Sequence, residues 1–384
     1  MSPTLAFWKS LPQKSVIVFL AGVFFTFSTV GIASDLVDMG RQPALLYILM
    51  VLISGLFTSV YAAAGLVLRK KWWKAFFPIF AVHMLLINLV HHWVPSLPPL
   101  VAMNAADVAH LQSRLIFDAR CMLIAVAVGY SCFVYVFISE GRRYFRVRAE
   151  MELAAEIHRV LVPPIDTQIR EFEFYGRSIP SGEVGGDLID VFRTNSGWIA
   201  YVADVSGHGV APGVVMAMVK SAARMQISSG EKSSELLGRL NSVLLPIKKP
   251  DMFATFAYLA WDGERLEYSL AGHPAILHYH AATNEISEVS CLNMPLGMFD
   301  EQSFDTAPVH CAPNDLFLIL TDGLLEVTNA KGEEFTLTGI KPLMLAHAAD
   351  PLGAIFQSIV DAVQRYGHAV DDQSMLLMRC HRAS

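Results

Sequence analysis

Charge is what this sequence has least of. Only 17% of its 384 residues are Asp, Glu, Lys or Arg, against 53% hydrophobic, a ratio too apolar for an ordinary soluble chain of this length. An excess of basic residues is missing as well. The formal net charge is -6, which leaves no electropositive footprint for nucleic acid and excludes that class of partner. Cysteine is sparse too, at five residues. Cys121, Cys132, Cys291, Cys311 and Cys380 have neither the spacing of a zinc module nor the framework of a disulfide-stapled secreted domain. They read as inert thiols of a chain whose soluble part faces a reducing compartment.

The charge is missing from one half. Asp, Glu, Lys and Arg are absent from 15–33, 44–68, 75–94 and 121–138, and each stretch is close to the roughly 20 apolar residues that a membrane-crossing helix needs. The first lacks a small-residue cleavage site and is followed by three more, so it reads as a retained helix rather than a signal peptide. Lys9 and Lys14 precede the first stretch. Arg69, Lys70, Lys71 and Lys74 follow the second, and Arg142, Arg143, Arg146 and Arg148 follow the fourth. The alternate connections hold only Arg41, Arg114 and Arg120. The bias of Lys and Arg toward the cytoplasmic side then predicts a multi-pass protein of the inner membrane with both termini in the cytoplasm. His83, His91 and His92 read as polar groups at or near the interface. Without charged groups in the spans or an internal repeat there is little from which to build a transport pathway, so residues 1–139 are expected to anchor or to sense.

Residues 140–164 are charged and rich in helix formers. Apolar residues at Tyr144, Val147, Met151 and Ala154, then at Leu153, Ile157 and Val160, mark two offset helical faces, as a stutter in a coiled coil would. Pro163 and Pro164 end the helix. A linker helix is predicted there, with a homodimer through it as the corresponding expectation.

Residues 165–384 have ordinary globular composition. Strands are predicted at 171–177, 198–203, 253–261, 266–270, 275–280, 316–320 and 375–380, with Asp262-Gly263 as a hairpin turn. Helices are predicted at 211–229, 233–245, 338–348 and 352–366. Strands in runs and helices in runs give an α+β fold rather than a doubly wound parallel sheet. Acidic residues fall at strand tips: Asp187 in Gly185-Gly186-Asp187, with Asp190 after it; Asp204 in Asp204-Val205-Ser206-Gly207-His208-Gly209; Asp322 in Thr321-Asp322-Gly323; and Asp371-Asp372. One Asp beside Gly is a common turn. Four such tips together point to carboxylates gathered at one place, which repel unless cations compensate them. An all-oxygen donor set suits Mg²⁺ or Mn²⁺.

The blocks GEVGGDLID, VADVSGHGVAPGVVMAMVK, MFATFAYLAWD, YSLAGHP, LILTDGLLEVTNAKGEEF and DDQSMLLMR resemble the successive motifs of bacterial PPM-type phosphatases of the SpoIIE-like branch, over about residues 150–384. The resemblance implies an α-β-β-α sandwich and two divalent cations, Mn²⁺ or Mg²⁺, in a cleft between the sheets. It implies that Asp204 bridges both ions, that Asp187 and the Val205 carbonyl bind one, and that Asp322 and Asp371 bind the other. Asp372 and Asp190 are neighbours without an assigned role. His208 is the candidate to protonate the leaving oxygen or contact phosphate, Arg177 a weaker candidate for phosphate contact, and His273 a turn residue. The function so implied is a membrane-anchored Ser/Thr protein phosphatase, acting on a STAS-type anti-sigma-factor antagonist in a partner-switching pathway. A non-catalytic membrane scaffold and a two-metal hydrolase of another phosphate ester are the alternatives.

Overall fold

A computed structural model describes residues 12–68, 71–94, 105–207, 209–230 and 232–381. The chain divides into two compact units, Met1–Arg148 and Ala149–Ser384. The first contains helices α1 (Gln13–Val37), α2 (Ala44–Leu68) and α3 (Trp72–Trp93), together with most of α4 (Ala105–Leu161). All four are long and apolar enough to cross a membrane. Small residues set how closely they pack. A Cβ on Gly31 would stand 2.4 Å from the Val51 backbone of α2, and one on Gly129 would stand 2.4 Å from Thr26 Oγ1 of α1. Such contacts let apolar helices associate by close backbone approach where lipid offers no hydrophobic drive.

The fourth span and the linker lie on one continuous helix, α4, because no proline falls between 105 and 161, and its glycines, Gly129 and Gly141, are isolated from each other. Arg114 and Arg120 therefore lie on a helix rather than in a connection. Arg114 pairs with the buried Asp35 at 3.1 Å, whose other oxygen accepts the Gln42 backbone N–H at 2.8 Å. His83 stacks on Phe57 of α2, with ring centroids 4.5 Å apart, while His91 and His92 are exposed.

The second unit is an α+β sandwich of two antiparallel sheets. One sheet runs β1 (Ile165–Ile169), β2 (Phe172–Ile179), β11 (Gln373–Cys380), β10 (Leu316–Leu320), β7 (Ile276–His280), β8 (Glu285–Val289). The other runs β3 (Leu188–Arg193), β4 (Trp198–Val205), β5 (Ala254–Trp261), β6 (Leu266–Ala271), β9 (Ala307–Pro308). Strands β1, β3, β8 and β9 went unrecognised in the sequence. Of these, β8 has no fully buried residue and β9 is two residues long, so they carry little of the alternation or apolar run that marks a strand, while the apolar β3 is interrupted by the buried Asp190. Helices α5 (Val210–Ser228) and α6 (Leu236–Leu244) flank the second sheet. Helices α7 (Thr336–Ala346) and α8 (Leu352–Tyr366) cover the first, where Ile355, Ile359 and Met344 meet Leu318 and Leu377.

The inter-sheet core is aromatic at its centre. Phe172 and Phe174 meet the fully buried Trp198 edge-on, at centroid distances of 4.9 and 4.8 Å. The two phenylalanines come from one sheet and the tryptophan from the other, so this cluster fixes the spacing of the layers. Trp198→Ala should destabilise the unit by about 3–5 kcal/mol, the range for emptying a buried aromatic site. Denaturant unfolding of residues 149–384 measures it, and a cost below about 1 kcal/mol would show that the layers are held elsewhere.

Candidate metal centre

Antiparallel pairing gathers the acidic residues. Leu188 opens β3 opposite Ala203 of β4, so Asp187, just before β3, comes to the end of β4 where Asp204 stands. Leu320 closes β10 opposite Met375 of β11, so Asp322 comes beside Asp371 and Asp372. The sheets then stack these two pairs at the same end of the sandwich. Thr321 bridges them. Its hydroxyl accepts the Ser374 N–H at 3.0 Å and donates to Asp187 Oδ2 at 2.8 Å.

The Val205 carbonyl is reached by close approach. A Cβ on Gly186 would lie 2.6 Å from that oxygen, so glycine is the residue that lets the loop bearing Asp187 close against β4. Gly323 does the same on the other sheet, where an added Cβ would lie 2.0 Å from the Asp372 carbonyl oxygen.

Asp372 has a positioning role. Its Oδ1 accepts the Ser181 N–H at 2.6 Å and the Ser181 hydroxyl at 3.0 Å, and its Oδ2 accepts the Gly186 N–H at 2.7 Å. With both oxygens engaged, this carboxylate ties the 181–186 loop in place one residue from Asp371 and one from Asp187. Asp190, a neighbour without an assigned role in the sequence, stands apart from the converging acids, because three residues into β3 its side chain meets α5. Arg224 forks onto it with two bonds of 2.7 Å, Tyr201 donates at 2.8 Å, and Lys220 stands 3.5 Å away.

The electrostatics separate the two kinds of acid. Among the described residues none of Asp187, Asp204, Asp322 or Asp371 is paired with Lys or Arg. Burial, then the charge of Asp204, holds Asp187 well above the usual carboxylate range. Burial, then Asp322 and Asp371, pushes Asp204 up to about 7. Burial, then Asp371, raises Asp322. Buried oxygens that cannot all ionise together, beside a backbone carbonyl and without a cationic side chain, fit divalent cations.

His208 lies outside the described residues. His273 is a buried residue of the turn after β6. Its Nδ1 is 2.9 Å from Thr255 Oγ1, and Thr255 is the cross-strand partner of Asp204. Burial pushes its pKa down to about 3, so the ring is neutral. Arg177 is not drawn to the acids: its Nε donates to the Tyr175 hydroxyl at 3.0 Å. Sequence reasoning missed Thr321 and Ser181, which no motif letter marks as polar partners. It also missed Glu326, raised by burial and then by Asp322 and Glu334, and His158 near the end of α4. Burial lowers His158, and the charge of Asp372 pulls it back up.

Residues 194–381 match the family model described as Stage II sporulation protein E (SpoIIE). The chain is 23% identical over 219 residues to phosphoserine phosphatase RsbU of Bacillus subtilis (strain 168), covering 56% of this chain and 65% of that one. It is 23% identical over 244 residues to phosphoserine phosphatase RsbP of the same organism, covering 60% and 58%. The chain thus spans less than two thirds of either relative. Among solved structures, the SiaA-PP2C domain of Pseudomonas aeruginosa aligns with TM-score 0.54 at 18% identity, over 62% of this chain and 98% of that one. The RsbU and RsbW domains of a Mycobacterium tuberculosis protein align with TM-score 0.50 at 24% identity, over 58% and 62%. Both likenesses concern the fold.

Two outcomes follow from the centre's electrostatics. Asp187, Asp204 and Asp322 keep protons in the folded state that the unfolded chain releases, so metal-free protein must lose stability as pH rises. The window opens near the unfolded carboxylate value of about 4 and extends through about 7, where Asp204 ionises. In chelator the melting temperature of residues 149–384 should fall across that window, and saturating Mn²⁺ should raise it more at about pH 8 than at about pH 5. A Mn²⁺ effect independent of pH would contradict the assignment. Asp372→Asn replaces an acceptor facing N–H groups with an amide, and should weaken Mn²⁺ binding by about 10- to 100-fold. Calorimetric titration measures it, and unchanged affinity would show that the loop is held without Asp372.

Proposed function

We propose, from a C-terminal domain that belongs to the SpoIIE family of PPM-type phosphatase domains, that this chain is a metal-dependent protein phosphatase hydrolysing phosphoserine or phosphothreonine. The observation that carries the reading is the convergence of Asp187, Asp204, Asp322 and Asp371 beside the Val205 carbonyl, with no Lys or Arg paired to them among the described residues. In this reading Asp204 would contribute to holding both of two divalent cations, Mn²⁺ or Mg²⁺. Asp187 and the Val205 carbonyl would hold one of them, and Asp322 and Asp371 the other. When bound, the two ions supply Lewis-acid chemistry, activating water at neutral pH and neutralising phosphate oxygens.

The protein's own groups supply position. Thr321 fixes the face that Asp187 presents, and Asp372 holds the loop that carries it. Gly209, at φ 93°, turns the chain so that α5 begins at Val210, next to the site. The first amides of α5 and the positive end of its dipole favour an anion there. Neutral His273 and Thr255 line the strand opposite Asp204 without adding charge.

The relatives named as phosphoserine phosphatases support a phosphoserine protein as substrate. The finer reading is a phosphorylated STAS-domain antagonist in a partner-switching pathway. Helices α1 to α4 serve as the membrane anchor. The bias of Lys and Arg supports a multi-pass position in the inner membrane with the phosphatase domain in the cytoplasm. The apolar face of α4 around Leu153, Ile157 and Val160, all exposed, supports a homodimer through that segment.

Purified residues 149–384 should release phosphate from a phosphoserine protein in Mn²⁺, and Asp204→Asn should lower kcat by about 10³-fold or more while leaving the fold intact. Absence of turnover in both Mn²⁺ and Mg²⁺, with the full chain as well, would replace this reading with a non-catalytic scaffold. Turnover of small phosphate esters alone would replace it with a hydrolase of another ester.

A further inference from the structure

The opposite end of the same sandwich carries a second donor cluster that phosphate hydrolysis does not use. His278 and His280 are two residues apart on β7, so both side chains leave one face of the strand, and their ring centroids are 3.9 Å apart. Asp315 immediately precedes β10, and its Oδ2 lies 3.0 Å from His278 Nε2. One donor atom from each of the three residues lies within 4.8 Å of the others. We propose that His278, His280 and Asp315 form a transition-metal site of the zinc class, distinct from the acidic centre, that fastens the β7–β8 hairpin to the start of β10.

The two sites cannot be one. Asp315 and Asp322 flank opposite ends of β10 (Leu316–Leu320), and five residues of strand span about 16 Å. Their chemistry differs as well. Two imidazoles and one carboxylate make a donor set for Zn²⁺ and its neighbours, whereas an all-oxygen set suits Mg²⁺.

The supporting bonds of a metal site are already formed. Asp315 Oδ1 accepts the Ala281 N–H at 2.8 Å, and Oδ2 accepts the Ala312 N–H at 2.9 Å, so the carboxylate is aimed from both sides. His280 Nε2 is 2.8 Å from Ser287 Oγ of β8. With that nitrogen carrying the proton, Nδ1 keeps its lone pair for an ion. Second partners of this kind are what orient ligating histidines and carboxylates.

Burial points the same way. Asp315 is 2% exposed and lies 3.0 Å from the buried His278 ring nitrogen. The thiols of Cys311 and Cys380 are buried beside this aspartate, each against the other, so the surroundings are soft rather than the hydrated oxygen shell that Mg²⁺ keeps. His280 is half-exposed, which gives an ion a way in and a water the fourth position.

The test uses full-length protein in detergent, stripped with chelator, incubated with Zn²⁺ in saturating Mg²⁺, desalted and assayed for metal by mass spectrometry. Asp204→Asn/Asp322→Asn disables the acidic centre without touching the second cluster. That variant should retain about one zinc per chain, and adding His280→Ala should weaken zinc binding by about tenfold or more. Zn²⁺ should also raise the melting temperature of the double variant and not that of the triple. Circular dichroism checks that the His280 variant is folded, and Ser287→Ala, which removes only the supporting hydroxyl, should give a smaller loss of affinity. Zinc at background in the double variant, or equal zinc with and without His280, would overturn the site. Neither result bears on Mn²⁺-dependent phosphatase activity, which the acidic centre decides by itself.

Discussion

Mutual repulsion among carboxylates at one end of a β-sandwich is the constraint on which the rest of this domain depends. Two unit charges about 4 Å apart interact by roughly 4 kcal/mol at the dielectric of a protein surface, and by more when buried. Four acids cannot be gathered at that cost unless something opposes it. In the metal-free chain the opposition is retained protons, which is why burial and neighbouring charge raise Asp187, Asp204 and Asp322 together. The scaffold holds the acids in place against that repulsion through antiparallel registers, the Thr321 bridge and the Asp372 anchor. A site held this way binds cations because the alternative, four free carboxylates, is worse.

The contrast inside β3 makes the point sharper. Asp187 and Asp190 are three residues apart and both almost fully buried. Asp190 takes a forked Arg224, the Tyr201 hydroxyl and a nearby Lys220, and so joins β3 to α5. Asp187 receives the Thr321 hydroxyl, with the Ser374 hydroxyl also favouring its charged form, and is paired with no Lys or Arg among the described residues. One carboxylate has its counter-charge built into the chain and ties β3 to α5. The other has none among the described residues, which is the charge balance that the proposed metal-binding role of Asp187 requires. Sequence spacing does not distinguish them, because Gly-Gly-Asp and Leu-Ile-Asp read alike until α5 is placed against the sheet.

This is also where the sequence was legible and where it was not. The apolar runs of β4, β5 and β10 are buried along their whole length, so they are visible as runs, and their acidic tips could be read as a group. Strands β8 and β9 lie at sheet edges with little buried surface, and periodicity does not mark them. The run of α4 through an apolar stretch and then a charged one follows the same logic, since a helix is broken by proline or local backbone geometry and not by a change of composition. Thr321, Ser181 and Glu326 escaped for a further reason. Their roles come from long-range pairing, and Thr321 meets Asp187 across 134 residues of sequence.

The same reasoning explains why the loop from 181 to 186 matters more than its lack of secondary structure implies. It carries Gly186 and leads into Asp187, and Asp372 holds it by three hydrogen bonds. Its first half is exposed, while Val184 to Gly186 are buried. An added Cβ on Gly213 of α5 would stand 2.4 Å from Val184, and Val184 lines one apolar cavity of about 590 Å³ with Ile157, His158 and Leu161 at the end of α4. His158 is also close enough to Asp372 for its charge to be felt. The loop therefore has a charged anchor on one side and an apolar one on the other, and the two meet at α4. Asp187 follows directly on this doubly held loop, whereas Asp204 lies within β4 and Asp322 and Asp371 lie just beyond the paired ends of β10 and β11. Native packing density leaves such a loop little room to rearrange by itself, so the position of Asp187 is set by its neighbours rather than by a strand register.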